Sequence, residues 1–186
     1  MSRWKLLFVA MLVAAFPLPA AAGTWTLGPN FGISVLSNQN ASQTVVVWPG
    51  DVVGFMPGLR IGFLDRRSSA EFFVDTGLSY ESSSGTSSRI FQASGNMQFK
   101  LSRGTSGAFA NAGVGFWSLS EDFGSTSTTT TVPSLGAGLG FRQVLRHGHG
   151  ALRAEMRLDH YFEDSGAGLD AFNSFGLKFG FDLWMR

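Results

Sequence analysis

The sequence predicts an all-β chain: an eight-stranded antiparallel up-and-down transmembrane β-barrel, carried behind a signal peptide. Three observations predict it. Apolar and polar residues alternate with period two in eight successive segments, the pattern of strands with one apolar face. The connections between segments are alternately short and long, as when tight periplasmic turns alternate with longer outer loops. The polar face is filled with glycine and with charge, which suits a narrow lumen better than a face bathed in water.

The amino-terminal residues stand apart from this pattern. Arg3 and Lys5 precede an unbroken apolar run from Leu6 to Phe16. Pro17 and Pro19 break the run, and Ala20-Ala21-Ala22 offers a small-residue cleavage site. That order predicts a secretory signal peptide over 1–22 and a barrel domain over 23–186; the run is short for a membrane helix. The chain has 14 Lys and Arg against 13 Asp and Glu. Without Arg3 and Lys5 the balance is 12 against 13, a net charge of −1, so nothing points to a nucleic-acid partner. There is no cysteine, hence no disulfide and no thiolate metal site.

The segments follow in order. Leu27, Phe31, Ile33 and Val35 alternate with Gly28, Asn30, Gly32 and Ser34. Phe55, Leu59, Ile61 and Phe63 alternate with Gly54, Gly58, Arg60 and Gly62. Phe72, Val74, Leu78 and Tyr80 alternate with Phe73, Asp75, Gly77 and Ser79. Phe91, Ala93, Met97, Phe99 and Leu101 alternate with Gln92, Ser94, Asn96, Gln98 and Lys100. The second half continues: Ala110, Ala112, Val114 and Phe116 against Asn111, Gly113, Gly115 and Trp117. Leu135, Ala137, Leu139 and Phe141 stand against Gly136, Gly138, Gly140 and Arg142. Leu152, Ala154, Met156 and Leu158 stand against Arg153, Glu155, Arg157 and Asp159. Phe175, Leu177, Phe179, Phe181 and Leu183 stand against Gly176, Lys178, Gly180 and Asp182. Each run of about 10 residues fits a tilted membrane-crossing strand. The short connections are Asp65–Ser69, Ser102–Ser106 and Leu145–Gly150. The long ones lie near Leu36–Asp51, Glu81–Ser88, Ser120–Val132 and Phe162–Asn173.

The charges decide which face is which. Arg60, Asp75, Lys100, Arg142, Arg153, Glu155, Arg157, Asp159, Lys178 and Asp182 all share the glycine-rich face, and Glu71 has the same parity at a strand end. Glycines leave room, and long charged side chains fill it by pairing, since buried charge is tolerable only when paired. These residues are expected to form a lumen network that blocks the channel and fixes strand register. Aromatic girdles are expected at both rims: Trp25, Phe63, Phe72 and Trp184 on the periplasmic side, Tyr80, Phe116, Tyr161 and Phe175 on the outer side.

Other motifs carry less chemistry. His147-Gly148-His149 lacks a third metal ligand nearby and reads as a polar turn. Gly136-Ala137-Gly138-Leu139-Gly140 lies on one strand, and its spacing is not a dinucleotide fingerprint. No cofactor is implied. Ser125–Thr131 is low complexity and reads as a mobile outer loop.

With these residues in place, the chain resembles the OmpA/OmpX-type small outer-membrane β-barrel superfamily over essentially all of 23–186. The last strand carries part of the likeness. Lys178, Gly180, Leu183 and Met185 match the polar-x-Gly-x-x-apolar-x-apolar pattern of terminal strands, which implies recognition by the barrel-assembly machinery. Met185 and Arg186 follow Trp184, whereas many members end on Phe or Trp. No segment resembles a peptidoglycan-binding domain, so the likeness is to barrel-only members. The resemblance implies a bacterial outer-membrane location, with membrane lipid and lipopolysaccharide as surroundings. It implies a non-enzymatic structural or surface-interaction role: adhesion, host contact or envelope integrity. A small pore or hydrophobic-solute conduit is the alternative. A further alternative is a lipid A-modifying hydrolase: His160-Tyr161 and Asp170 resemble the lipid A deacylases, which carry His-x-Ser and a downstream acid. Here Phe162 takes the Ser position and Ser165 is the nearest loop hydroxyl.

Overall fold

The computed structural model describes residues 23–38, 44–47, 58–65, 70–83, 86–102, 104, 106–123, 126–146 and 148–185. The expected signal peptide, 1–22, lies outside them. The strands are β1 (Gly23–Asn38), β2 (Thr44–Val47), β3 (Gly58–Asp65), β4 (Ala70–Ser83) and β5 (Thr86–Lys100), then β6 (Gly107–Asp122), β7 (Ser127–Val144), β8 (Gly150–Tyr161) and β9 (Phe172–Met185). Every neighbouring pair is antiparallel, and β9 pairs with β1 to close the sheet. Closure matters because backbone N–H and C=O groups in lipid find partners only within the sheet. β3 pairs with β1 along Gly23–Asn30, while β2 pairs with the same strand along Ser34–Ser37. The two therefore share the second of eight positions in the barrel.

The register sets the size of the barrel. A ladder from Leu27 passes through Ile61, Val74, Gly95, Val114, Leu135, His160 and Asn173. It returns to β1 at Ser37, ten residues beyond its start. A stagger of that kind tilts the strands by roughly 35–45° and leaves an eight-stranded interior just wide enough for side chains. From Trp25 to Val35 the outward face is apolar. At about 3.3 Å per residue and about 40° of tilt this spans about 25 Å, the height of a membrane-barrel belt.

The expected faces hold. Phe31, Ile33, Leu59, Ile61, Leu139, Phe141, Leu177 and Phe179 are exposed on the outside, while the alternate residues are buried or half-buried. This inverts a water-soluble barrel. Two members of the expected girdles need correction. Tyr161 and Trp184 follow Asp159 and Asp182 at a spacing of two, so both turn into the barrel. Tyr161 is buried and Trp184, opposite Thr26, is half-buried. Phe63 does face outward, yet it is buried edge-on against Trp25 at 5.5 Å between ring centroids.

The outer loops also differ from expectation. β4 and β5 remain paired out to Ser83 and Thr86, and β6 and β7 out to Asp122 and Ser127. Ser127–Thr131, read as part of a mobile loop, is strand. Its β-branched threonines favour extended backbone, and cross-strand hydroxyl pairs hold it: Ser118 with Thr131 and Ser120 with Thr129, each at 3.0 Å. Beyond β8 the chain makes a tight turn in which Asp164 bridges Leu169.

Candidate functional site

The lumen is the most heavily built region of the molecule. Ten ionisable side chains are buried there: Arg60, Arg142, Arg153, Arg157 and Lys178 against Glu71, Asp75, Glu155, Asp159 and Asp182. Five charges of each sign make the set neutral. Strand alternation places all ten on one face, and the closed sheet brings those faces together. Glu71 is a full member, although its position near a strand end made it look peripheral. Its carboxylate accepts hydrogen bonds from Thr26 Oγ1 at 2.9 Å and Gln98 Nε2 at 3.3 Å, and pairs with Arg142. Lys100 is the correction in the other direction. It stands half-buried at the end of β5 and, among the described residues, forms no ion pair. The strand ends there, and no acid of the network reaches it.

Connectivity runs from end to end. Arg60 binds Asp75 through two parallel bonds, Nε to Oδ1 at 2.7 Å and Nη2 to Oδ2 at 2.8 Å, the strong fork geometry of guanidinium and carboxylate. Arg60 also reaches Glu155 Oε2 at 3.3 Å and lies over the Phe73 ring, 3.5 Å from its centroid. Glu155 is the hub: Arg153 lies 3.6 Å away and Arg157 3.8 Å, and Lys178 is its direct partner on β9. Arg157 closes on Asp159 at 2.9 Å along its own strand. Arg153 binds Asp182 at 3.2 Å, and Asp182 is 3.6 Å from Arg142. The last contact matters because the register sets Arg142 and Arg153 directly opposite each other. A shared carboxylate makes that like-charged juxtaposition tolerable.

Glycine makes the space. A Cβ at Gly136 would overlap the Asp159 carboxylate and the Arg157 guanidinium, and one at Gly180 would overlap Arg153. At Gly28 a Cβ would strike the Phe181 carbonyl where β1 and β9 close the barrel.

Above the charges sits a second layer that the sequence reading did not assemble. Trp117, Val132 and Tyr161 are buried inside the outer end of the barrel, with Ile90, Leu119, Leu169 and Phe172 packed against them. Tyr161 stacks on Phe172 at 4.5 Å and Trp117 meets Phe172 edge-on at 6.3 Å. The signal was present in the parity of these residues, but they come from five strands and a turn. A small cavity of about 20 Å³ is lined by Ser134, Arg157, Asp159 and Lys178 of the charged layer together with Phe116 and Tyr161, room for about one water.

The remaining expected sites are placed as follows. Lys178 and Gly180 face the lumen, while Leu183 and Met185 face outward on the strand that closes the barrel. His160 lies on the outward face near the outer end, with Nδ1 2.8 Å from Asn173 Oδ1. Its ring meets Phe162 edge-on, 4.9 Å between centroids. Ser165 and Asp170 are exposed in the β8–β9 connection. Thus asparagine, not serine, is the hydrogen-bond partner of His160. His149 is exposed in the β7–β8 turn, and His147 lies outside the described residues.

No family model matches this chain, and no curated protein matches it. Solved structures do. Neisserial surface protein A shares 15% identity over 86% of this chain and 96% of that one, with a TM-score of 0.60. Ail, the attachment invasion locus protein of Yersinia pestis, shares 12% identity over 88% of this chain and 99% of its own, with a TM-score of 0.51. Ail in complex with the heparin analogue sucrose octasulfate matches at 0.52 and the same coverage. The fold is that of the small eight-stranded outer-membrane barrels, as the OmpA/OmpX-type resemblance implied.

Proposed function

We propose that this chain is exported by its signal peptide, resides in the bacterial outer membrane and acts there as a non-enzymatic surface-interaction protein. The observation that carries this reading is the inside-out barrel with a doubly closed lumen. An apolar belt faces outward, a neutral charge network fills the interior, and an aromatic cluster fills the outer end. Such a barrel anchors, and among the described residues side chains fill its lumen. Among the described residues, two hairpins carry the sheet beyond the belt. The β4–β5 and β6–β7 hairpins stay paired well past the belt.

Ail is named for attachment and invasion, and the likeness supports adhesion or host contact for this chain by fold alone. The test is adhesion of cells producing the protein to host cells and to immobilised matrix proteins, with and without the β6–β7 hairpin. Heat-modifiable migration in the outer-membrane fraction serves as the location assay. Equal adhesion with the hairpin removed, or recovery of the protein as a soluble periplasmic species, would overturn the reading.

A further inference from the structure

Every Lys and Arg on the described strands points into the lumen except one. Arg89, on β5, shares the outward parity of Phe91 and Phe99, and it is exposed. It stands directly opposite Tyr80 on β4 and Ser120 on β6. Its guanidinium carbon lies 5.9 Å from the centroid of the Tyr80 ring. Among the described residues it forms no ion pair. Asp122, the outward acid nearest on this face, lies opposite Ser87, two residues farther out, and has a partner of its own.

The surroundings of Arg89 are graded. On the membrane side lies the aromatic pair Phe91 and Phe116, 5.7 Å between ring centroids, both facing outward. Beside it run the hydroxyl pairs Ser118–Thr131 and Ser120–Thr129. Arg89 thus sits where the apolar belt gives way to polar surface. An outward arginine costs least at that height, about 0–1 kcal/mol against about 2–4 at the bilayer midplane. We propose that Arg89, Tyr80 and the hydroxyls of β6 and β7 form a binding site for the phosphorylated sugar headgroup of an outer-leaflet glycolipid of the lipid A type.

The chemistry matches part by part. The guanidinium offers a planar fork of donors to a phosphate. Tyr80 supplies an aromatic face that holds the guanidinium in place. Four hydroxyls, each able to donate and accept, suit sugar and phosphate oxygens, and the phenylalanine pair suits the acyl chains beneath. A simple phospholipid would use the cation and leave the hydroxyl rows without a counterpart. This inference rests on the membrane placement proposed above.

The test uses the full barrel folded into phosphatidylcholine vesicles, with insertion scored by heat-modifiable migration. The inserted protein is then transferred to detergent. Retention of bis-phosphorylated lipid A, dephosphorylated lipid A and phosphatidylglycerol is read by native mass spectrometry. Arg89→Gln should weaken retention of bis-phosphorylated lipid A by about tenfold or more, the worth of a charge-assisted hydrogen bond. Retention of the dephosphorylated form should not change. Lys100→Gln, at the opposite end of the barrel, should change neither. Equal retention of bis-phosphorylated lipid A by the wild type and Arg89→Gln overturns the site while leaving the membrane reading intact. Displacement by equimolar phosphatidylglycerol overturns the glycolipid assignment. Failure of the wild type to insert overturns the membrane reading itself.

Discussion

Removing Asp75 should destabilise the barrel more than removing Glu155, although Glu155 touches more arginines. Asp75 holds Arg60 through bonds of 2.7 and 2.8 Å and also accepts from Asn30 Nδ2 at 2.8 Å. Arg60 is fully buried, at 0% exposure. In Asp75→Ala its nearest remaining carboxylate oxygen is Glu155 Oε2 at 3.3 Å. Breaking a buried pair on one side costs about 3–5 kcal/mol, and we expect about 4. Glu155→Ala leaves every arginine a closer acid: Asp75 for Arg60, Asp182 for Arg153 and Asp159 for Arg157. About 1–3 kcal/mol follows, the cost of one weakened charge-assisted bond. The double change Arg60→Met with Asp75→Leu removes both charges together. It should cost less than the sum of the single changes by about 1–3 kcal/mol. Equilibrium unfolding in urea from lipid vesicles, followed by tryptophan fluorescence, reads the wild type, the two alanine variants, Arg60→Met, Asp75→Leu and the double change. If Glu155→Ala proves costlier than Asp75→Ala, or the cycle is additive, the charges act as solvated lumen residues and the network reading fails.

Three further outcomes are expected. Leu139→Arg, on the outward face at mid-belt and 55% exposed there, should cost about 2–4 kcal/mol in bilayers; an unchanged unfolding midpoint would contradict the lipid-facing assignment. Conductance across planar bilayers should stay near zero in the wild type and also in Glu155→Ala, because Trp117, Val132, Tyr161 and Phe172 still fill the outer end. A conducting Glu155→Ala would mean that the charges alone close the lumen. Replacing Ser120–Thr129 with a two-residue turn should leave the midpoint of heat-modifiable migration in place, since that stretch lies beyond the belt. A lowered midpoint would make the hairpin part of the folding core.

The eight positions, the faces and most of the charge network were legible in the sequence because each rests on a local rule. Alternation at spacing two fixes a face, and glycine beside arginine on that face announces a crowded interior. What escaped was long-range. Glu71 sits near a strand end, and only the register of β4 against β5 and the curvature of the barrel bring it to Gln98 and Arg142. Lys100 has the same parity but one step too many toward the rim. Trp117, Val132, Tyr161 and Phe172 are far apart in sequence, and closure of the sheet gathers them. Tyr161 and Trp184 were placed by residue type rather than by parity, and parity prevailed. The hairpin of β6 and β7 was misread because serine and threonine are common in loops. In a paired strand their branched or hydroxylated side chains pack across the ladder just as well.

The charge network also does something that hydrophobic alternation does not. A slip of one residue between strands would turn every apolar side chain inward, and the belt forbids it. A slip of two residues keeps each face intact, so the belt is indifferent to it. Glycine-rich strands resist such slips weakly, having few side chains to interlock. The ion pairs are not indifferent. Arg60 pairs with Asp75 directly across the ladder, and the register sets Lys178 opposite Glu155. A two-residue slip of β3 on β4 would set Arg60 against Phe73 or Gly77. A two-residue slip of β8 on β9 would set Lys178 against Arg153 or Arg157, exchanging an attraction for a repulsion in a buried site. Buried ion pairs add little net stability compared with well-packed apolar residues. Here they penalise the one family of misfolded barrels that the apolar pattern permits.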